Sequence, residues 1–204
     1  LFPYTTLFPS MRVRVELLAA APLSHVNHIT LRVAGKNVLG VGAWFDGEKG
    51  GEGASFSPIA PLEGDNLKRA RLGGRFLDGL LELQDDYEAL EITGKARVGD
   101  PRHGVPETEC WVLRMKAKGL PDTATLYIAT DNHFIIRRDI TSFPGPSPVT
   151  TRMYYGDYRP VGPLTLSHLS VTNAPGAGFV VMRTEKTELD GPVDPKRFAA
   201  PKVK

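Results

Sequence analysis

Apolar and polar residues alternate with a period of two along most of this chain. That feature constrains the fold more than any other, because it describes strands with one buried face. Val13, Val15 and Leu17 alternate with Arg12, Arg14 and Glu16, and Ile29, Leu31 and Val33 alternate with Thr30 and Arg32. Leu90 and Ile92 alternate with Glu91 and Thr93, and Trp111, Leu113 and Met115 alternate with Val112, Arg114 and Lys116. Further strands are expected over 38–45, 123–130, 134–141, 149–155, 164–172 and 179–188, for a total of nine or ten. Gly35-Lys36-Asn37 supplies a hairpin turn, as does Asp131-Asn132-His133, whose Asp and Asn tolerate left-handed backbone. FPGPSP, from Phe143 to Pro148, stops a strand, since proline cannot donate to a ladder. The connections are too short for parallel crossovers, so the sheet is antiparallel.

One helical region interrupts the strands. Asp65 is placed to cap it, and Leu67, Ala70, Leu72, Phe76, Leu77, Leu80, Leu81 and Leu83 follow near helical spacing. Gly73-Gly74 breaks the run at ~1 kcal/mol per glycine, leaving one continuous helix and two short ones both open. Residues 46–61 read as a loop, with Gly47, Gly50, Gly51 and Gly53 making it flexible. Gly 21 and Pro 17 together are 38 of 204 residues. That is about 19%, above the ~12% usual sum, and it suits many strands joined by many turns. Residues 1–10, LFPYTTLFPS, closely resemble the translation of a sequencing-library adapter and are set aside, which leaves the native N-terminus and any signal peptide out of view. A single domain is expected over 11–198, with a flexible tail over 199–204.

Charge and composition exclude several functions. A formal net charge of +2 with no basic block offers no footprint for nucleic acid. No apolar run approaches the ~20 residues of a membrane-spanning helix. Cys110, the single cysteine, cannot form an intrachain disulfide and reads as a small buried apolar residue rather than a nucleophile. His25 and His28 form an H-x-x-H pair without a third ligand nearby, so no metal is assigned. His103, His133 and His168 are expected to be solvent-exposed. Asp85-Asp86 and the Glu107/Glu109 pair are not placed across a cleft by their spacing. Nucleophile-elbow, P-loop and dinucleotide motifs are absent. The expectation is a protein that is not an enzyme, with no catalytic residue and no cofactor.

Several strands are apolar on both faces. Leu126 and Ile128 stand opposite Tyr127, Phe134 and Ile136 opposite Ile135, and Val180 and Met182 opposite Phe179 and Val181. Such strands must be covered on both sides or line a cavity, and both readings stay open.

The run Tyr154-Tyr155-Gly156-Asp157-Tyr158-Arg159-Pro160-Val161-Gly162-Pro163-Leu164 resembles the DYR-x-V-x-G strand of the periplasmic outer-membrane lipoprotein-sorting proteins, the LolA-like group. Residues 127–138 resemble that group's strand, Asp-containing turn and return strand, and 185–201 resemble its closing strand and following segment. The helical region over 62–87 agrees, and the likeness runs over roughly 40–201; the first strands and the helix expected ahead of them depart from the pattern. The resemblance implies an α+β, mainly β fold: an unclosed, curved antiparallel half barrel with the helical region on its concave face. It implies a non-enzymatic carrier of lipid or lipoprotein acyl chains in the bacterial periplasm or cell envelope, with envelope proteins as further partners. Candidate lining residues are Trp44, Phe76, Leu80, Leu83, Trp111, Leu113, Leu126, Ile128, Phe134 and Ile136. Asp157 and Arg159 are expected to shape a strand end rather than touch a ligand. The alternative is a non-catalytic accessory or scaffold domain of a larger envelope protein, such as a peptidase, with a filled core.

Overall fold

The computed structural model describes residues 11–20, 24–33, 36–54, 57–73, 83–143, 147–175, 178–189, 191 and 194, with backbone alone over 11–39 and at 58 and 174. The chain divides into two compact units, Leu1–Leu83 with Pro192–Lys204, and Gln84–Gly191.

In the first unit, β1 (Met11–Ala20), β2 (Ser24–Val33), β3 (Lys36–Phe45), β4 (Gly50–Ala54) and β5 (Ser57–Pro61) form one antiparallel sheet in sequential order. The expected hairpin is present, with Val33 opposite Lys36 and His25 opposite Phe45. The segment 46–61, read as a flexible loop, instead contains β4 and β5. Its glycines allow close backbone approach: a Cβ at Gly51 would lie 2.7 Å from Trp44 Nε1 and 2.9 Å from Ile59 Cγ2. Asp46 closes the preceding turn by accepting the N–H groups of Glu48 and Lys49 at 2.9 and 2.8 Å, bonds that hold its carboxyl below the usual range. Helix α1 spans Gly64–Gly73, so Asp65 lies inside the first turn, where it meets Lys68 at 3.1 Å. Phe76, Leu77, Leu80 and Leu81 lie outside the described residues. A short α2 (Leu83–Asp86) leads into the second unit.

The second unit is a seven-stranded antiparallel meander: β6 (Tyr87–Asp100), β7 (Val105–Ala117), β8 (Thr123–Ala129), β9 (Ile135–Ser142), β10 (Val149–Val161), β11 (Leu164–Ala174) and β12 (Gly178–Arg183). The fold is thus mainly β and antiparallel, as expected, with twelve strands in two sheets among the described residues, where nine or ten were expected. Strands β6 and β12 are the sheet's edges. The sheet nevertheless curls until elements beside both edges meet. A 3-10 turn, Pro101–His103, follows β6, and its His103 ring stacks on Phe179 of β12 with centroids 4.8 Å apart. Beneath that contact, Val98, Val105, Cys110, Ala129, Ile136, Leu169 and Val171 form a buried cluster drawn from β6, β7, β8, β9 and β11. Three register shifts in β6 supply local bending on that side. Gly156 allows the turn to tuck in, since a Cβ there would stand 3.3 Å from Val105 and 3.5 Å from the Gly104 carbonyl oxygen.

Three expectations are corrected in this unit. His168 is buried, its Nδ1 3.0 Å from the Leu166 carbonyl oxygen, because β11 carries it inward. His103 is held by a 2.7 Å contact to the buried Asp100 carboxylate rather than standing free in solvent. Strand β12, apolar on both faces, is exposed along its whole length, because among the described residues it has a strand neighbour on one side alone.

Candidate functional site

Antiparallel register brings four of the expected lining residues together. Trp111 pairs with Ile128 and Leu113 with Leu126 across β7 and β8, and directly opposed residues share a face. Ile92 of β6 extends the row, opposite Leu113. Exposure falls steeply along it: Ile92 is 64% exposed, Trp111 39%, Leu113 and Ile128 are half-buried, and Leu126 is 2% exposed. Met115 and Ala124, the next pair, are buried. An apolar surface of this kind starts in solvent and runs into the interior of the unit.

Its outer end is charged. Lys95 stands opposite Trp111, with its ammonium nitrogen 4.5 Å from the ring centroid and 3.0 Å from Glu109 Oε2. The Lys95 ammonium holds the Glu109 carboxyl below its ordinary range, and the Thr130 hydroxyl lies within 3.5 Å of the same oxygen. The arrangement can take an aliphatic chain against Ile92, Trp111, Leu113 and Ile128 while leaving a polar group beside Lys95. Sequence reasoning missed Ile92 and Lys95. They are three residues apart, which strict alternation puts on opposite faces; the register shift between Ile92 and Gly94 puts them on one.

The other expected residues are placed elsewhere. Ile136 falls at the register shift between β8 and β9 and joins the buried cluster with Cys110. Phe134 stacks on Tyr158 at 4.3 Å, and the Tyr158 hydroxyl donates to the Ile135 carbonyl at 2.5 Å. Trp44 lies in the first unit, packed over Gly51, and Leu83 is half-buried at the start of α2. Phe76 and Leu80 lie outside the described residues.

Asp157 and Arg159 are joined by two hydrogen bonds of 2.8 and 2.6 Å. They sit within β10 rather than at a strand end: the β10–β11 register is unbroken, with Gly156 opposite Leu169 and Tyr158 opposite Ser167, and Asp157 lies between them at φ +51. Burial first, then Asp131 and Glu109, push the Cys110 thiol up to about 11, which leaves it protonated and inert as a nucleophile near neutrality. Among the described residues no group of three His, Cys, Asp or Glu side chains is placed to hold a metal, and no helix is long and apolar enough to cross a membrane. The side chains of His25 and His28 lie outside the described set.

No family model matches the sequence, and no curated protein matches it. Solved structures do match in shape. A candidate outer membrane lipoprotein-sorting protein domain from Vibrio parahaemolyticus is similar at a TM-score of 0.56 and 8% identity, over 92% of this chain and 80% of that one. A LolA superfamily protein from Nitrosomonas europaea is similar at 0.58 and 13% identity, over 93% of this chain and 87% of that one. A DUF1329 family protein from Desulfovibrio piger is similar at 0.57 and 13% identity, over 92% and 80%. The chain therefore resembles the LolA-like proteins in fold.

Proposed function

We propose that this protein binds lipid or lipoprotein acyl chains as a non-enzymatic carrier-type domain of the bacterial cell envelope, acting in the periplasm with residues 11–198 as its functional domain. The observation that carries the reading is the apolar row Ile92–Trp111–Leu113–Ile128, exposed at one end and buried at the other. Each acyl methylene it covers contributes ~0.8 kcal/mol, so a chain of several methylenes against this row reaches useful affinity without any covalent step. The likeness in fold to a lipoprotein-sorting domain and a LolA superfamily protein supports the same direction. Ligands of this class carry a polar head, and Lys95 and Glu109 stand where one would emerge.

The test is titration with a fluorescent fatty acid. Wild-type protein should bind it saturably, and Trp111→Glu or Ile128→Glu should abolish binding while circular dichroism stays unchanged. Retained binding in both folded variants would remove this face from the account.

A second reading, a non-catalytic accessory domain without a lipid ligand, is favoured by one observation. The buried cluster around Cys110 and Val171 fills the curl of the sheet near the 3-10 turn. It predicts no saturable fatty-acid binding at all.

A further inference from the structure

Strand β12 is the least protected element of the second unit. It ends the sheet, its six residues are all exposed, and four consecutive large apolar side chains, Phe179, Val180, Val181 and Met182, are 39–49% exposed. Among the described residues nothing pairs with the outer main-chain donors and acceptors of this edge, and the strand carries none of the usual protection: no proline, no bulge against β11 and no lysine. The groups that would pair with it must therefore come from another extended backbone.

The register shows which groups are free. The Thr184 N–H donates to the His168 carbonyl at 2.9 Å, and β12 pairs with β11 without a register shift from Leu169–Arg183 to Ala174–Gly178. In an antiparallel ladder alternate residues point their main-chain groups toward the same neighbour. Residues 180, 182 and 184 therefore face β11, and Phe179, Val181 and Arg183 present N–H and C=O groups outward.

That outward triplet is symmetric about Val181. We infer that β12 is a self-pairing edge: two copies of the chain associate through antiparallel β12 strands related by a two-fold axis at Val181. In this register Val181 meets its own image, Phe179 meets Arg183 of the second copy, and Val180 meets Met182. Six main-chain hydrogen bonds form, two for each of the three opposed pairs of outward residues. Apolar side chains meet apolar ones on one face, and on the other a guanidinium meets an aromatic ring, a favourable pairing. The strand's one charge, Arg183, is kept four residues from its image, so no like charges oppose. Phe179 is already held in place by His103, itself bonded to Asp100, so the edge is ordered before pairing. A six-residue strand is a small contact surface, which makes the dimer weak and reversible rather than permanent.

Sedimentation analysis across a concentration series tests this. Wild-type protein should shift from a mass near 22.3 kDa toward twice that value as concentration rises. Val181→Pro removes an outward N–H that β11 does not use, so it should stay monomeric with an unchanged circular dichroism spectrum. Should that variant fail to fold, Val181→Lys and Val181→Glu carry the test: each alone should be monomeric, because like charges oppose at the axis, and an equimolar mixture should dimerise. A wild type that stays monomeric at every concentration would overturn the inference. So would dimerisation that survives Val181→Pro, or a Lys/Glu mixture that remains monomeric.

Discussion

Lys95 and Trp111 stand directly opposite one another on β6 and β7, with the Lys95 ammonium 4.5 Å from the centre of the indole ring. The pair joins the apolar row to its charged end. If a ligand's polar head lies there, its sign should matter. Lys95→Glu should weaken binding of a fatty acid, whose head is a carboxylate, at least tenfold more than binding of the alcohol of the same chain length. Equal losses for the two ligands would show that no head group sits beside Lys95.

Leu126 and Trp111 should separate stability from binding. Leu126 is 2% exposed, and Leu126→Ala should cost about 2–5 kcal/mol in urea unfolding. Trp111, 39% exposed, should cost much less when replaced by Glu, while losing the fatty acid altogether. A Trp111→Glu variant as unstable as Leu126→Ala would mean that Trp111 is a core residue.

Cys110 should impose a pH dependence at the alkaline end. Its folded thiol is raised from an ordinary 9.0 to about 11, so the folded protein holds the proton more tightly than the unfolded chain. Stability from this group is therefore complete below pH 9 and declines as pH rises from about 9 to about 11. Unfolding measured from pH 8 to 11 should fall more steeply in wild type than in Cys110→Ala. Parallel curves would show that the thiol is not held neutral.

Tyr158 and Asp157 should behave as structural residues despite their place in the motif that carries the family resemblance. Tyr158→Phe removes the hydrogen bond to the Ile135 carbonyl and should cost about 1 kcal/mol. Asp157→Gly relieves a positive φ of 51° while giving up an exposed ion pair, so stability should hold or rise. Fatty-acid affinity should be unchanged in both; a loss in either would place a ligand contact on this stretch of β10.

Gly51 should not tolerate a side chain. A Cβ there would lie 2.7 Å from Trp44 Nε1 and 3.0 Å from the Ala60 carbonyl oxygen, so Gly51→Ala should destabilise by about 1–3 kcal/mol. Gly73, at the end of α1 and with nothing within 4 Å among the described residues, is the control, and alanine there should be neutral or stabilising in a thermal melt.

The long strands were legible because side-chain alternation is a local property: Trp111, Leu113 and Met115 announce β7 without reference to anything distant. Strands β4 and β5 were not, because Gly50, Gly51 and Gly53 have no side chains with which to mark a face. The exposure of Phe179 to Met182 was hidden for another reason. A run apolar on both faces looks the same at a free edge as in a covered centre, and only strand order tells them apart. Of the ten candidate lining residues, Trp111, Leu113, Leu126 and Ile128 come together on one face, through strand parity and the β7–β8 register. Ile92 and Lys95 were lost to a register shift, and Ile136 was carried by another into the opposite cluster.

An acyl chain held on the apolar row would be seen by native mass spectrometry of residues 11–204 purified without detergent. Wild-type protein should carry a lipid-sized mass bound one to one, removed by organic extraction and absent from Trp111→Glu. A wild-type protein that carries no such mass, and takes none up from added fatty acid or phospholipid, would contradict acyl-chain binding on this row.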